Sequence, residues 1–197
     1  LQLGFLKLLK GSGLYKDAAK YGLVYTNYAP YEILKTNWLS YEEILKLQMI
    51  EEMVEQYYNS NRYQLLVRYL CSFFTSPFHF YEALAEYYES NNLHMLSHSN
   101  LETYTILWDF FQAQNIGDPE TFQWYALFDL YSHEKAKKLP EWLIVSLKEN
   151  YHDAIYAFFD KRENVEKYLS EYLDLDTKQI LRSAHIEVFP FNPITNE

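Results

Sequence analysis

His94 and His98 stand four positions apart, the spacing that lets two imidazoles share one helix face and grip a metal. No Glu lies between them in the zinc-protease arrangement, and Ser97 and Ser99 beside His98 point to a loop rather than a helix. The expectation is therefore capping or surface histidines, with no metal site. His79, His133, His152 and His185 are scattered and take no role. Asp129 is the second candidate. It falls in a stretch that is otherwise apolar all round, so it is expected to be buried and must be paired or hydrogen-bonded. A buried carboxylate can serve as a tuned acid or base. The plainer expectation is a structural anchor to Arg68, Arg62 or a Tyr hydroxyl. Cys71, between Leu70 and Phe73, reads as a core residue, and Glu42-Glu43 and Glu51-Glu52 as solvated faces and caps.

A glycine turn, Gly11-Ser12-Gly13, follows the apolar run Leu1 to Leu9. It has too few glycines for a phosphate-cradling loop and lacks that loop's Lys-Ser/Thr ending; no nucleophile elbow is present either. Turns at the ends of buried strands are nevertheless where alternating strand-helix sheets and barrels place ligands.

The elements that position these residues are mostly helices. Leu1, Leu3, Phe5, Leu6, Leu8 and Leu9 form a nearly continuous apolar run, read as a strand buried on both faces whose sheet neighbours are missing. A short helix over Leu14 to Lys20 ends at Gly22, and extended segments come next at Leu23 to Thr26 and Tyr31 to Lys35. Ser40 with Glu43 makes a capping box, and Ile44, Leu47, Ile50, Val54 and Tyr57 then share a helix face to about Tyr58. Tyr63 to Leu70 is a second helix, Ser76-Pro77 opens a third, and Ser99 with Glu102 caps a fourth that ends at Gly117. Asp118-Pro119 starts the helix carrying Phe122 to Tyr131, apolar on every side and so expected at the centre. Pro140 stops or restarts the chain ahead of residues 142–147. Ala154 to Tyr172 forms one long or two shorter helices with the doubtful junction at Asp160 to Asn164; Thr177 to Ser183 is helical, and His185 to Phe189 is read as a strand.

The formal charge of -10 repels a phosphate backbone and an anionic membrane surface, so neither nucleic acid nor membrane is expected as a partner. One cysteine cannot form an internal disulfide, which fits a reducing, cytoplasmic setting, nor can it hold an iron-sulfur cluster by this chain's own thiolates. With Leu rather than Met at position 1, the chain reads as an excised piece or a processed product.

The opening Leu1-Gln2-Leu3-Gly4-Phe5-Leu6-Lys7-Leu8-Leu9-Lys10-Gly11-Ser12-Gly13 resembles the last part of the barrel in cobalamin-binding radical SAM enzymes, with Ser12 where the family's turn usually has Thr. The rest of the chain is similar to that family's helical C-terminal domain. The matching phrases are Lys20-Tyr21-Gly22-Leu23-Val24-Tyr25, Ala29-Pro30-Tyr31-Glu32-Ile33-Leu34, Trp38-Leu39-Ser40-Tyr41-Glu42-Glu43, Tyr57-Tyr58-Asn59-Ser60 and Lys138-Leu139-Pro140-Glu141-Trp142-Leu143. Members are often described as iron-sulfur oxidoreductases or as anaerobic magnesium-protoporphyrin IX monomethyl ester oxidative cyclases. The resemblance implies a parent with a 4Fe-4S cluster, S-adenosylmethionine and cobalamin. It implies that the C-x3-C-x2-C motif and the cobalamin domain lie upstream, and that Gly11, Ser12 and Gly13 sit near the cofactor side of the barrel.

The expected architecture is thus mainly α: an irregular multi-helix domain with a small β element formed by N-terminal, near-N-terminal and C-terminal strands. Residues 1–13 are the remnant of a barrel and residues 14–197 a helical accessory domain that covers or shapes an active site without catalysing anything itself. Its expected partners are the barrel and cobalamin domain of the parent chain, with a dimer through the orphaned strand as a further expectation. Two other readings stand beside this one: a helical protein-interaction module, and a binder of small molecules, such as flat rings, in an aromatic pocket.

Overall fold

The computed structural model describes residues 1–134, 136, 138–143 and 145–195. Helices dominate, with a two-stranded antiparallel sheet near the start. The turn at Gly11 to Gly13 leads into α1 (Gly13–Lys16), shorter than the spacing suggests, and Gly22 at φ 61° redirects the chain. β1 (Val24–Tyr25) and β2 (Ile33–Lys35) then pair.

Local capping chemistry sets most helix starts. At α2 (Tyr41–Val54) the Glu43 amide donates to the Ser40 hydroxyl at 3.2 Å and the Ser40 amide to the Glu43 carboxylate at 2.7 Å. The helix continues as a π turn, Glu55–Asn59, whose extra residue per turn carries Tyr57 into the core. After α3 (Gln64–Cys71), α4 (Pro77–Ser90) begins at Ser76, whose hydroxyl accepts from the His79 amide. Its fully buried stripe is Phe80, Tyr81, Leu84, Ala85 and Tyr88, with Tyr87 only partly covered. α5 (Asn100–Gln114) has the Ser99–Glu102 capping box and stops at Asn115, in the left-handed region at φ 51°, before Gly117. α6 (Pro119–His133) is capped by Asp118.

α2 packs on α4 and α3 on α6, and Lys46 ties the first pair through Glu82 and Glu86 at 2.8 and 2.9 Å. The principal core lies between these helices. Four of its phenols are paired as burial demands: the Tyr57 and Tyr88 hydroxyls bond each other at 2.6 Å, that of Tyr63 meets the Thr103 hydroxyl, and Tyr104 donates to the Arg62 carbonyl. Within residues 142–147, Ile144 lies outside the described residues, and no helix is assigned to the others. Trp142 stacks on Trp108, centroids 5.0 Å apart and planes at 8°, and donates its indole N–H to Thr105. α7 (His152–Phe159), α8 (Arg162–Tyr168) and α9 (Thr177–Ser183) gather around a smaller cluster of Val165, Ile180 and Ala184.

Two expected strands are corrected. The run Leu1 to Leu9 is not buried on both faces: Leu8 is buried and Phe5 half-buried, the rest are exposed, and a single bridge, Lys7 to Glu32, joins the run to the β2 side. The Leu8 amide donates to the Tyr31 carbonyl at 2.8 Å and the Ile33 amide to Leu6 at 3.4 Å. An unbroken apolar run satisfies a strand only where both faces are roofed, and here one edge and one face have company. Nor does His185 to Phe189 form a strand or pair with the N-terminal run. Phe189 instead inserts between Trp124 and Phe128 of α6, and Phe191 packs on Tyr125, with Pro190 removing a ladder amide between them.

Candidate functional site

The sequence-derived candidates are not brought together. Ser12 caps α1 by accepting from the Tyr15 amide at 3.2 Å, and a Cβ built on Gly11 or Gly13 meets nothing within 4 Å. The turn is therefore an exposed surface feature that no other part of the described chain approaches. His94 sits in a 3-10 turn (Leu93–Met95), and the His98 ring nitrogen bonds the Leu93 carbonyl at 2.8 Å. Both line a cleft with Glu51, Glu52 and Glu55, yet among the described residues no three His, Cys, Asp or Glu side chains converge as a metal-holding group.

Asp129 is buried, as its neighbours require, but its hydrogen-bond partners are neither Arg nor Tyr. Its carboxylate accepts from the Leu65 amide (3.0 Å) and the Leu66 amide (2.9 Å), the first-turn donors of α3. That helix starts at Tyr63 without a side-chain cap of its own, so a residue 64 positions away supplies the missing acceptor. Burial pushes the Asp129 carboxyl up to about 6, against the opposing pull of the two amides and of His133 and Arg68. The sequence signal that could have found this is an uncapped helix start together with a lone carboxylate in an apolar helix.

Two adjoining cavities are the features that the sequence did not reveal. The first, of about 560 Å³, lies between the N-terminal run, the loop after β2, α2 and the start of α4. Leu3, Leu6, Ile44, Leu47, Ile50 and Phe78 give its wall a mainly aliphatic character. Thr36 in that wall is already engaged, its hydroxyl accepting from the Trp38 and Leu39 amides at 3.0 Å. The N-terminal run is held across it by Asn59, whose amide donates to the Leu1 carbonyl at 2.7 Å. The second cavity, of about 720 Å³, is more polar, with Asn61, Gln64, Arg68 and Cys71 in its wall. Leu1, Pro77 and Tyr81 line both.

Cys71 is half-buried there, and burial lifts its thiol to about 11. The thiolate, not the thiol, is the nucleophile, so Cys71 is a wall rather than a reagent. Iodoacetamide labelling of the folded protein at pH 8 is expected to run at least tenfold slower than in the urea-unfolded chain; equal rates would show the thiol to be accessible and ionisable.

The fold thus defines a mainly α domain whose candidate residues act as caps and walls. The chain belongs to the family described as "Protein of unknown function (DUF4080)", which matches residues 19–197. No curated protein and no solved structure matches it. Among the described residues no helix is long and apolar enough to cross a membrane.

Proposed function

We propose that this chain is the helical accessory domain of a cobalamin-dependent radical SAM enzyme, covering or shaping an active site that it does not itself contain. The supporting observation is the N-terminal run. Leu1, Leu3, Leu6 and Leu9 are 70, 41, 57 and 57% exposed on a segment whose β2 side is engaged. Covering a leucine fully is worth about 1.5–3 kcal/mol, so such a segment gains by further strands beside it. The resemblance of residues 1–13 to a barrel end supplies those strands in the parent chain.

The residues present do not fit the implied cofactors. A 4Fe-4S cluster of this class takes three thiolates, and the chain has one, Cys71, half-buried with its thiol pushed up to about 11. Cluster, sulfonium cofactor and cobalamin belong, on this reading, to the parent's other domains, and water exclusion is the contribution of this one.

The upstream reading frame tests the proposal: it is expected to encode a C-x3-C-x2-C motif after a cobalamin domain, and an ordinary start codon near Leu1 removes the reading. At the protein level, light scattering of the isolated chain is expected to show self-association through the uncovered run, relieved by deleting residues 1–13. A monomer in both cases overturns the expectation that the run seeks strands.

A further inference from the structure

The two adjoining cavities carry an inference that goes beyond the accessory-domain reading and shares with it the N-terminal run, which forms one wall of the first cavity. The first cavity is walled by aliphatic side chains from four elements, and its Thr36 hydroxyl is occupied by backbone amides. Such a wall selects hydrocarbon and penalises any polar group placed deep within it. The second cavity shares Leu1, Pro77 and Tyr81 with the first, and offers Asn61, Gln64 and Arg68. Arg68 makes no ion pair among the described residues.

Tyr81 marks the junction. It is 6% exposed, it lines both cavities, and its hydroxyl is shielded from bulk water with no hydrogen-bond partner among the described residues. Its neighbours in the core, Tyr57, Tyr63, Tyr88 and Tyr104, all have partners. Leaving a buried donor unsatisfied costs about 1–3 kcal/mol, and a native fold that tolerates it commonly has a use for it.

We propose that the joined cavities form a binding site for a single-chain aliphatic amphiphile with an anionic head, a long-chain carboxylate. The chain lies in the aliphatic cavity against Leu47, Ile50 and Phe78, and the head lies in the polar cavity, where Arg68 complements its charge and the Tyr81 hydroxyl gains the acceptor it lacks. The aliphatic wall disfavours a flat aromatic ring system, which the many tyrosines of the sequence otherwise suggest; of those tyrosines, Tyr81 is the one in the wall of the first cavity.

The test is calorimetric titration of the chain with dodecanoate, and with dodecyltrimethylammonium as the same tail carrying the opposite charge, both below micelle-forming concentrations. Dodecanoate is expected to bind one per chain and at least tenfold more tightly than the cation. Arg68→Glu is expected to weaken dodecanoate about tenfold and narrow or reverse that preference. Tyr81→Phe is expected to weaken dodecanoate several-fold while leaving the ligand-free melting temperature unchanged or raised, since no contact in the free protein is lost. Leu47→Trp, which fills the aliphatic cavity, is expected to abolish binding of both. Gly4→Trp does the same from the opposite wall, where a Cβ meets nothing within 4 Å, and serves if the first variant does not fold. Anionic phospholipid vesicles, titrated in parallel, separate a free carboxylate from a membrane surface. Absence of saturable one-to-one binding, binding to vesicles alone, or affinity untouched by both tryptophan variants overturns the proposal; the last two outcomes place the ligand outside the cavities.

Discussion

Replacing Asp129 with alanine is expected to destabilise the protein by about 3 kcal/mol at pH 5, a large part of the whole stability of a domain this size. The substitution strands the Leu65 and Leu66 amides at the buried start of α3, which has no cap of its own to fall back on. Asp129→Asn keeps one acceptor oxygen and is expected to cost less. The loss depends on pH with a definite sign. The folded-state carboxyl titrates at about 6, above the roughly 3.9 of an unfolded Asp. The folded protein therefore holds the proton more tightly, and the stability linked to it is complete below about pH 4 and lost as pH rises through 6. Wild type should lose stability across that window relative to Asp129→Ala, so the difference between them narrows by about 1–2 kcal/mol at pH 8. Urea unfolding at the two pH values reads this directly; a difference that widens with pH would mean that the carboxylate is stabilised, not strained, by its site.

Phe122→Ala is expected to cost about 3–5 kcal/mol, the range for emptying a fully buried aromatic site. Phe122 has no exposed surface and touches Trp108 (5.4 Å), Phe111 (4.6 Å) and Trp142 (5.9 Å) between ring centroids. Its loss leaves the stacked indoles of Trp108 and Trp142 without a floor. Near-ultraviolet circular dichroism, which reports their fixed geometry, is therefore expected to change even under conditions where the variant stays folded. A shift in the urea midpoint equivalent to less than about 1 kcal/mol would mean that the neighbouring rings close the gap.

The features legible in the sequence were local. The capping boxes at Ser40 and Ser99 and the starts at Ser76-Pro77 and Asp118-Pro119 each depend on residues within three positions of one another, and the structure has all four where expected. The break near Asp160 likewise falls between α7 and α8. Burial of Asp129 could be read from its apolar neighbours, but its partners could not, because amide groups are the same in every residue and leave no trace in a side-chain pattern. The N-terminal run shows the opposite failure. Consecutive leucines announce that a segment wants cover, without saying whether cover is present, and seven of the first nine residues are exposed. The cavities were illegible for a related reason: Leu47 and Phe78 look like ordinary members of helix stripes until the spacing between elements is known.

The seating of Phe189 and Phe191 on α6 bears on biosynthesis. A helix begun at residue 119 keeps part of its flank bare until some seventy further residues have been translated, because the rings that close it come from beyond residue 188. At about 5–20 residues per second the nascent domain spends several seconds with an open greasy flank. A ribosome that stalls or terminates between α7 and the tail releases a product that chaperones and proteases will recognise.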